Sequence, residues 1–117
     1  MESKKSDLIW SGKDCFSRDV CLYVQERDHI IARHPDMNDN FTAIYDTVTS
    51  PDSVFESPSH CNREVMYKRA VSATYHPLIT KVIVEYNVPE TGTGHIVTAF
   101  PNKQVGGNVG KQKYPQE

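Results

Sequence analysis

The stretch Ile79–Phe100, ITKVIVEYNVPETGTGHIVTAF, decides the fold. Ile79 to Val88 is long and rich in β-branched residues, which pack well on a pleated, half-buried surface. His95 to Phe100 (HIVTAF) is a second strong strand signal, and Pro89 to Gly94 (PETGTG) joins the two as a hairpin loop. Side chains alternate along a strand. His95, Val97 and Ala99 are therefore expected on one side, and Ile96, Thr98 and Phe100 on the other. Thr98 would then be a hydroxyl between two large apolar neighbours. It reads either as an ordinary β-branched strand residue or as a donor to a phosphate oxygen. His95, beside Gly94, reads as a loop-edge residue.

Working back from this hairpin, Glu64–Ala70 (EVMYKRA) alternates loosely and Ser53–Ser57 (SVFES) is a short strand. Arg63, Val65, Tyr67 and Arg69 share one parity, and Glu64, Met66 and Lys68 the other. An Arg-Tyr-Arg face suits phosphate, because arginine can give an anion two parallel hydrogen bonds. A solvated sheet face is the plainer reading. Phe41, Ile44, Tyr45 and Val48 fall at i, i+3, i+4 and i+7, which predicts one apolar face on a helix over about Asp39–Thr49. Ser50-Pro51-Asp52 ends it.

Further back lies RDHIIARHPDM, Arg27 to Met37. A first helix is expected over Gln25–Arg33, and Pro35 stops it because the residue before a proline is pushed out of the α region. His34 then sits at the helix end. At roughly 100° per residue, His29 and His34 point about 140° apart. They cannot both face one ligand, and metal-binding helices prefer i and i+4. Arg18–Val24 (RDVCLYV) reads as a short strand feeding this helix. The first dozen residues, polar apart from Leu8, Ile9 and Trp10, are either a flexible lead-in or a docking strand.

The expected fold class is α+β: a short N-terminal strand and two helices packed on a roughly four-stranded antiparallel sheet. Residues 1–17 form the lead-in, 18–103 the domain, and 104–117 a polar, Gly-rich tail. The chain has 117 residues, enough for one domain and one core. Apolar residues make up 38% and charged residues 24%, as in globular domains. No apolar run approaches the roughly 20 residues of a spanning helix. The opening MESKKSDLIWSGKD does not read as a signal peptide, so a cytoplasmic chain is expected, with no membrane role. Three cysteines without a CxxC argue for free thiols rather than a disulfide or zinc framework. A net charge of −2 excludes a general nucleic-acid coat, so any nucleic acid must meet a local basic patch.

No HExxH, EF-hand loop, P-loop, GxGxxG or GxSxG is present. The remaining chemistry is a set of His, Arg, Lys and hydroxyl groups with no metal ligands and no cofactor. That set suits transfer at a phosphodiester: a base or acid for the proton, cations for the growing negative charge.

The order HI..RHPDM, a helix, SPDSVFES, R..MYKR, KVIVEY, a loop and GHIVTAFP resembles the phage-associated branch of the barnase, EndoU, colicin and RelE-like nucleases, the BECR fold. The resemblance covers about Val20 to Lys103. It implies two helices before a four-stranded antiparallel sheet, and a metal-independent endoribonuclease of toxin or phage type that leaves a 2′,3′-cyclic phosphate. Carried over, the pattern falls on His29, His34, Arg63, Tyr67, Lys81 and Thr98. The catalytic set is then His34 as general base or acid, His29 as second proton carrier or orienting residue, Arg63 and Lys81 at the transition state, and Thr98 on the phosphate. Arg33, Tyr67, Lys68 and Arg69 are expected to bind substrate. RNA is the implied substrate, and an antitoxin or immunity protein the implied partner. The acidic pI of about 6.2 departs from the basic character common among RNA-cutting toxins. An inactive RNA- or protein-binding module of the same fold is the alternative, and a small immunity-like protein a third reading.

Overall fold

The computed structural model describes residues 7–70, 78–87, 92–105 and 109–115. In chain order they form β1 (Leu8–Lys13), β2 (Asp19–Tyr23), α1 (Val24–Arg33), a 3₁₀ turn (Pro35–Met37), α2 (Phe41–Thr49), β3 (Ser53–Glu56), β4 (Arg63–Arg69), β5 (Ile79–Tyr86), β6 (Gly94–Asn102) and β7 (Gln112–Tyr114). The expected end of the long strand at Val88, and the loop residues 89–91, lie outside the described residues.

The α+β class holds, but among the described residues the sheet has seven strands rather than four, in the order β1-β2-β6-β5-β4-β3-β7. Consecutive strands β3 to β6 form an antiparallel meander, and β2 runs parallel to β6. The additional strands come largely from the ends. β1 rises out of the lead-in and pairs with β2, and β7 rises out of the polar tail and pairs with β3. Trp10 explains the first: its ring stacks on Tyr45 of α2, with centroids 4.5 Å apart and planes 8° apart.

One face of the sheet carries the core. Val20, Leu22, Met66, Val82, Val84, Tyr86, Ile96 and Ala99 are buried there against Ile30, Ile44 and Val48 of the helices. The periodicity of α2 is kept, with Ile44 and Val48 buried and Phe41 and Tyr45 partly so. Gly94 is required on this face. A Cβ there would lie 2.7 Å from the Tyr86 ring, which its own strand partner presses against it.

Beside the apolar core sits a buried ionic cluster. Arg18 gives its Nε–H to Asp14 at 2.8 Å and two further N–H groups to Glu64 at 2.6 and 3.0 Å. The Tyr86 hydroxyl donates to Asp14 at 2.7 Å, and Lys113 of β7 donates to Glu64 at 2.6 Å. The guanidinium also lies 3.8 Å from the Tyr86 ring centroid. This cluster joins the β1–β2 loop, β4, β5 and β7, which is why a three-residue strand in a polar tail has a fixed place.

Candidate active site

The sheet's second face, turned away from α2, is set by register. Arg63 lies opposite Glu85, Glu85 opposite His95, and His95 beside Cys21, making one row across four strands. The next row is Val65, Ile83 and Thr98. The third is Tyr67, Lys81 and Phe100, and the fourth Arg69, Ile79 and Asn102. Rows two residues apart are spaced about 7 Å.

The expected parity of β6 is corrected here. Val84 pairs with Ile96 but Ile83 pairs with Thr98, so Val97 is an extra, bulged residue. The bulge puts Ile96 and Ala99 together in the core and His95, Thr98 and Phe100 together on the second face. Bulges re-aim side chains in this way, often beside active sites.

The third row gathers most of the candidate groups. The Lys81 ammonium lies 5.7 Å from the Tyr67 ring centroid and 5.4 Å from that of Phe100. His34, the residue that ends α1, stacks on Phe100 at 4.8 Å between centroids. Its place follows from local rules. Its N–H closes the helix on Ile30, and Pro35 turns the chain into the 3₁₀ segment. β2 pairs with β6 at Val20 and Cys21 before the chain enters α1, and α1 then packs on β6, which brings the helix end to Phe100.

Electrostatics separate the cations. Arg63 is tied to Glu85 by a 2.8 Å hydrogen bond, and that bond holds the Glu85 carboxyl below its usual range. The His95 Nε2 lies 3.9 Å from the same carboxylate. Arg18 and Lys113 are committed to the buried cluster. Lys81 alone of the half-buried cations has no carboxylate of the described residues within ion-pairing distance. Burial lowers its pKa.

The sequence-predicted residues divide accordingly. Lys81, Thr98 and His34 are brought together and Arg63 flanks them on the same face; Tyr67 is fully buried beside Lys81, which corrects its expected role in binding substrate, and Arg69 is exposed at the end of β4. His29 and Arg33 are exposed on α1. Lys68 points to the helix side, where its ammonium bonds the Ser50 carbonyl at 2.7 Å. There it borders, with Arg69, Asp39 and Asp46, a separate cleft of about 360 Å³. Sequence reasoning missed Phe100 as the platform for His34, and set His95 aside. An aromatic residue sharing Thr98's strand was the available signal for the first. Among the described residues no three His, Cys, Asp or Glu side chains converge as a metal-holding group, and no helix is long and apolar enough to cross a membrane.

Lys81 offers a test through stability. A folded pKa below the unfolded one means that the unfolded chain holds this proton more tightly. The ammonium therefore costs stability below the folded pKa, and the cost vanishes as pH rises into the ordinary lysine range. Lys81→Met is expected to melt at the same temperature as wild type or higher at pH 7, with the difference closing at alkaline pH. A clearly lower Tm would instead make the ammonium's ring contacts a source of stability.

Comparison with known proteins returned no matching family model, curated protein or solved structure.

Proposed function

We propose that the chain is a metal-independent endoribonuclease of toxin or phage type, akin to the barnase, EndoU, colicin and RelE-like nucleases and acting on RNA in the cytoplasm. The observation that supports this best is Lys81: a half-buried ammonium, free of carboxylates among the described residues, between two aromatic rings, one of which carries a histidine. An unpaired cation in a partly desolvated place favours an anion, and the partly exposed Phe100 ring beside it favours an unstacked base, whereas Tyr67 is fully buried. Thr98 adds a hydroxyl one row away.

In this reading single-stranded RNA lies across the Lys81–Phe100 end of the third row. His34 takes the proton of a ribose 2′-hydroxyl, and the 2′-oxygen attacks phosphorus. Lys81 faces the phosphorane's added charge, and fixed charge of this kind acts most strongly where water is thinned out. Thr98 donates to a non-bridging oxygen. The bond from phosphorus to the 5′-oxygen breaks, leaving a 2′,3′-cyclic phosphate and a 5′-hydroxyl. Arg69 serves a flanking phosphate. Arg63, already matched by Glu85, acts by holding that carboxylate in place. A toxin of this type would be restrained by an antitoxin or immunity protein covering the same row.

The test is incubation of the purified chain with single-stranded RNA in EDTA, with the product ends identified by mass. Cyclic phosphate ends are expected. RNA left intact at high protein concentration overturns the assignment. The Arg63–Glu85 pairing and the net charge of −2 favour a second reading, an inactive RNA- or protein-binding module of the same fold. Salt-dependent RNA binding without cleavage would establish its RNA-binding form.

A further inference from the structure

We infer that His95 is the second proton carrier of this site, protonating the departing 5′-oxygen while His34 takes the 2′-hydroxyl proton; the inference rests on the ribonuclease reading above. Cleavage by an internal hydroxyl needs one group to accept a proton and another to deliver one, on opposite sides of the phosphorus. His29, the nearer histidine in sequence, lies on the exposed side of α1. His95 lies on the sheet itself.

The bulge at Val97 carries the argument. In a regular strand His95 and Thr98, three apart, would point to opposite faces. One extra residue puts both on the face that holds Lys81. Measured along β5, the partners Glu85, Ile83 and Lys81 stand two residues apart, so His95, Thr98 and Phe100 follow one another at steps of about 7 Å. Thr98 is thus flanked on one side by His95 and on the other by Phe100 with His34 stacked on it. A phosphate held at Thr98 would lie between the two histidine-bearing positions along β6.

His95 has charged neighbours on the adjoining strands. Glu85 on β5 lies 3.9 Å from its Nε2. Arg63 on β4 hydrogen-bonds that carboxylate and keeps it ionised, so a negative charge stands beside the ring. Cys21 on β2 is the neighbour on the other side, and His60 also acts on Glu85. The His95 side chain is 41% exposed, which leaves it reachable by substrate. In the step, the 2′-hydroxyl proton passes to His34, the new bond forms from the 2′-oxygen to phosphorus, the bond to the 5′-oxygen breaks, and that oxygen takes the proton of His95. Exchange with water restores both imidazoles.

A leaving-group experiment decides it. Wild type, His95→Ala and His95→Gln are assayed on single-stranded RNA and on the four ribonucleoside 3′-(4-nitrophenyl phosphates), with melting curves for each protein. The nitrophenolate leaves without help from an acid, whereas the ribose 5′-oxygen needs a proton. Both variants are expected to lose about 10²–10⁴-fold on RNA and only a few-fold on the aryl esters, with Tm near wild type. Equal losses on both substrates, or none on RNA, overturn the role of His95 and leave the ribonuclease reading standing. A wild type inert toward both substrates overturns that reading and this inference with it.

Discussion

Arg18→Ala is expected to destabilise the fold by about 3–5 kcal/mol and to lower Tm by roughly 10–20 °C, the largest stability loss at any charged position described. The side chains of Arg18, Asp14 and Glu64 are all almost completely buried. Their desolvation is offset only because each carboxylate oxygen has a partner: Arg18 to both acids, Tyr86 to Asp14, Lys113 to Glu64. Truncating Arg18 leaves two carboxylates in a site closed to water, one with only a phenol and backbone N–H groups, the other with one ammonium. The Tyr86 ring also loses the guanidinium lying on it. Lys113→Ala removes a partly exposed partner and leaves Glu64 bonded to Arg18, so a smaller loss is expected. Replacing Arg18, Asp14 and Glu64 together by apolar residues of like volume should cost much less than Arg18→Ala, because no orphaned charge remains. Thermal melts of the three variants check the ranking. An Arg18→Ala protein melting within a few degrees of wild type would mean that water reaches the cluster.

What was legible in the sequence was what local pattern determines. The β5–β6 pair, the apolar face of α2 and the stop at Pro35 each follow from periodicity or backbone chemistry within one segment, and each stands within a few residues of its expected place. β1 was legible only as one of two alternatives and β7 not at all, because their partners make them strands. Trp10 needs Tyr45, and Lys113 needs Glu64. Arg18 read as the start of a strand, since nothing nearby announces that Glu64, forty-six residues on, shares its burial. The site was half legible for the same reason. Lys81, Thr98 and His34 stood out by residue type. Arg63 looked like a free phosphate binder until the register placed Glu85 opposite it. The bulge at Val97 was invisible, because HIVTAF is an unbroken strand signal and one slipped residue moves His95 to the other face.

His34→Phe is expected to abolish most activity while leaving the fold intact, and this pairing of results is what gives it force. Phenylalanine keeps a flat ring against Phe100, where His34 now stacks at 4.8 Å, so the end of α1 stays docked. It has no nitrogen to accept the 2′-hydroxyl proton. Under the ribonuclease reading cleavage of RNA should fall about 10²–10⁴-fold, in kcat rather than in KM, since Lys81 and the aromatic platform that bind the strand are untouched. His34→Ala should show the same loss of rate and also lose the stacking, worth about 0.5–1.5 kcal/mol, so it should melt slightly lower. His29→Ala, on the exposed side of the same helix, should be near wild type in both respects. The aryl esters separate the two histidines. A good leaving group removes the need for an acid but not for a base, so His34→Phe should stay defective on them where His95→Ala recovers. A His34→Phe protein that cuts RNA at the wild-type rate would remove His34 from the chemistry, and leave the stacked ring as the cap that ends α1 on Phe100.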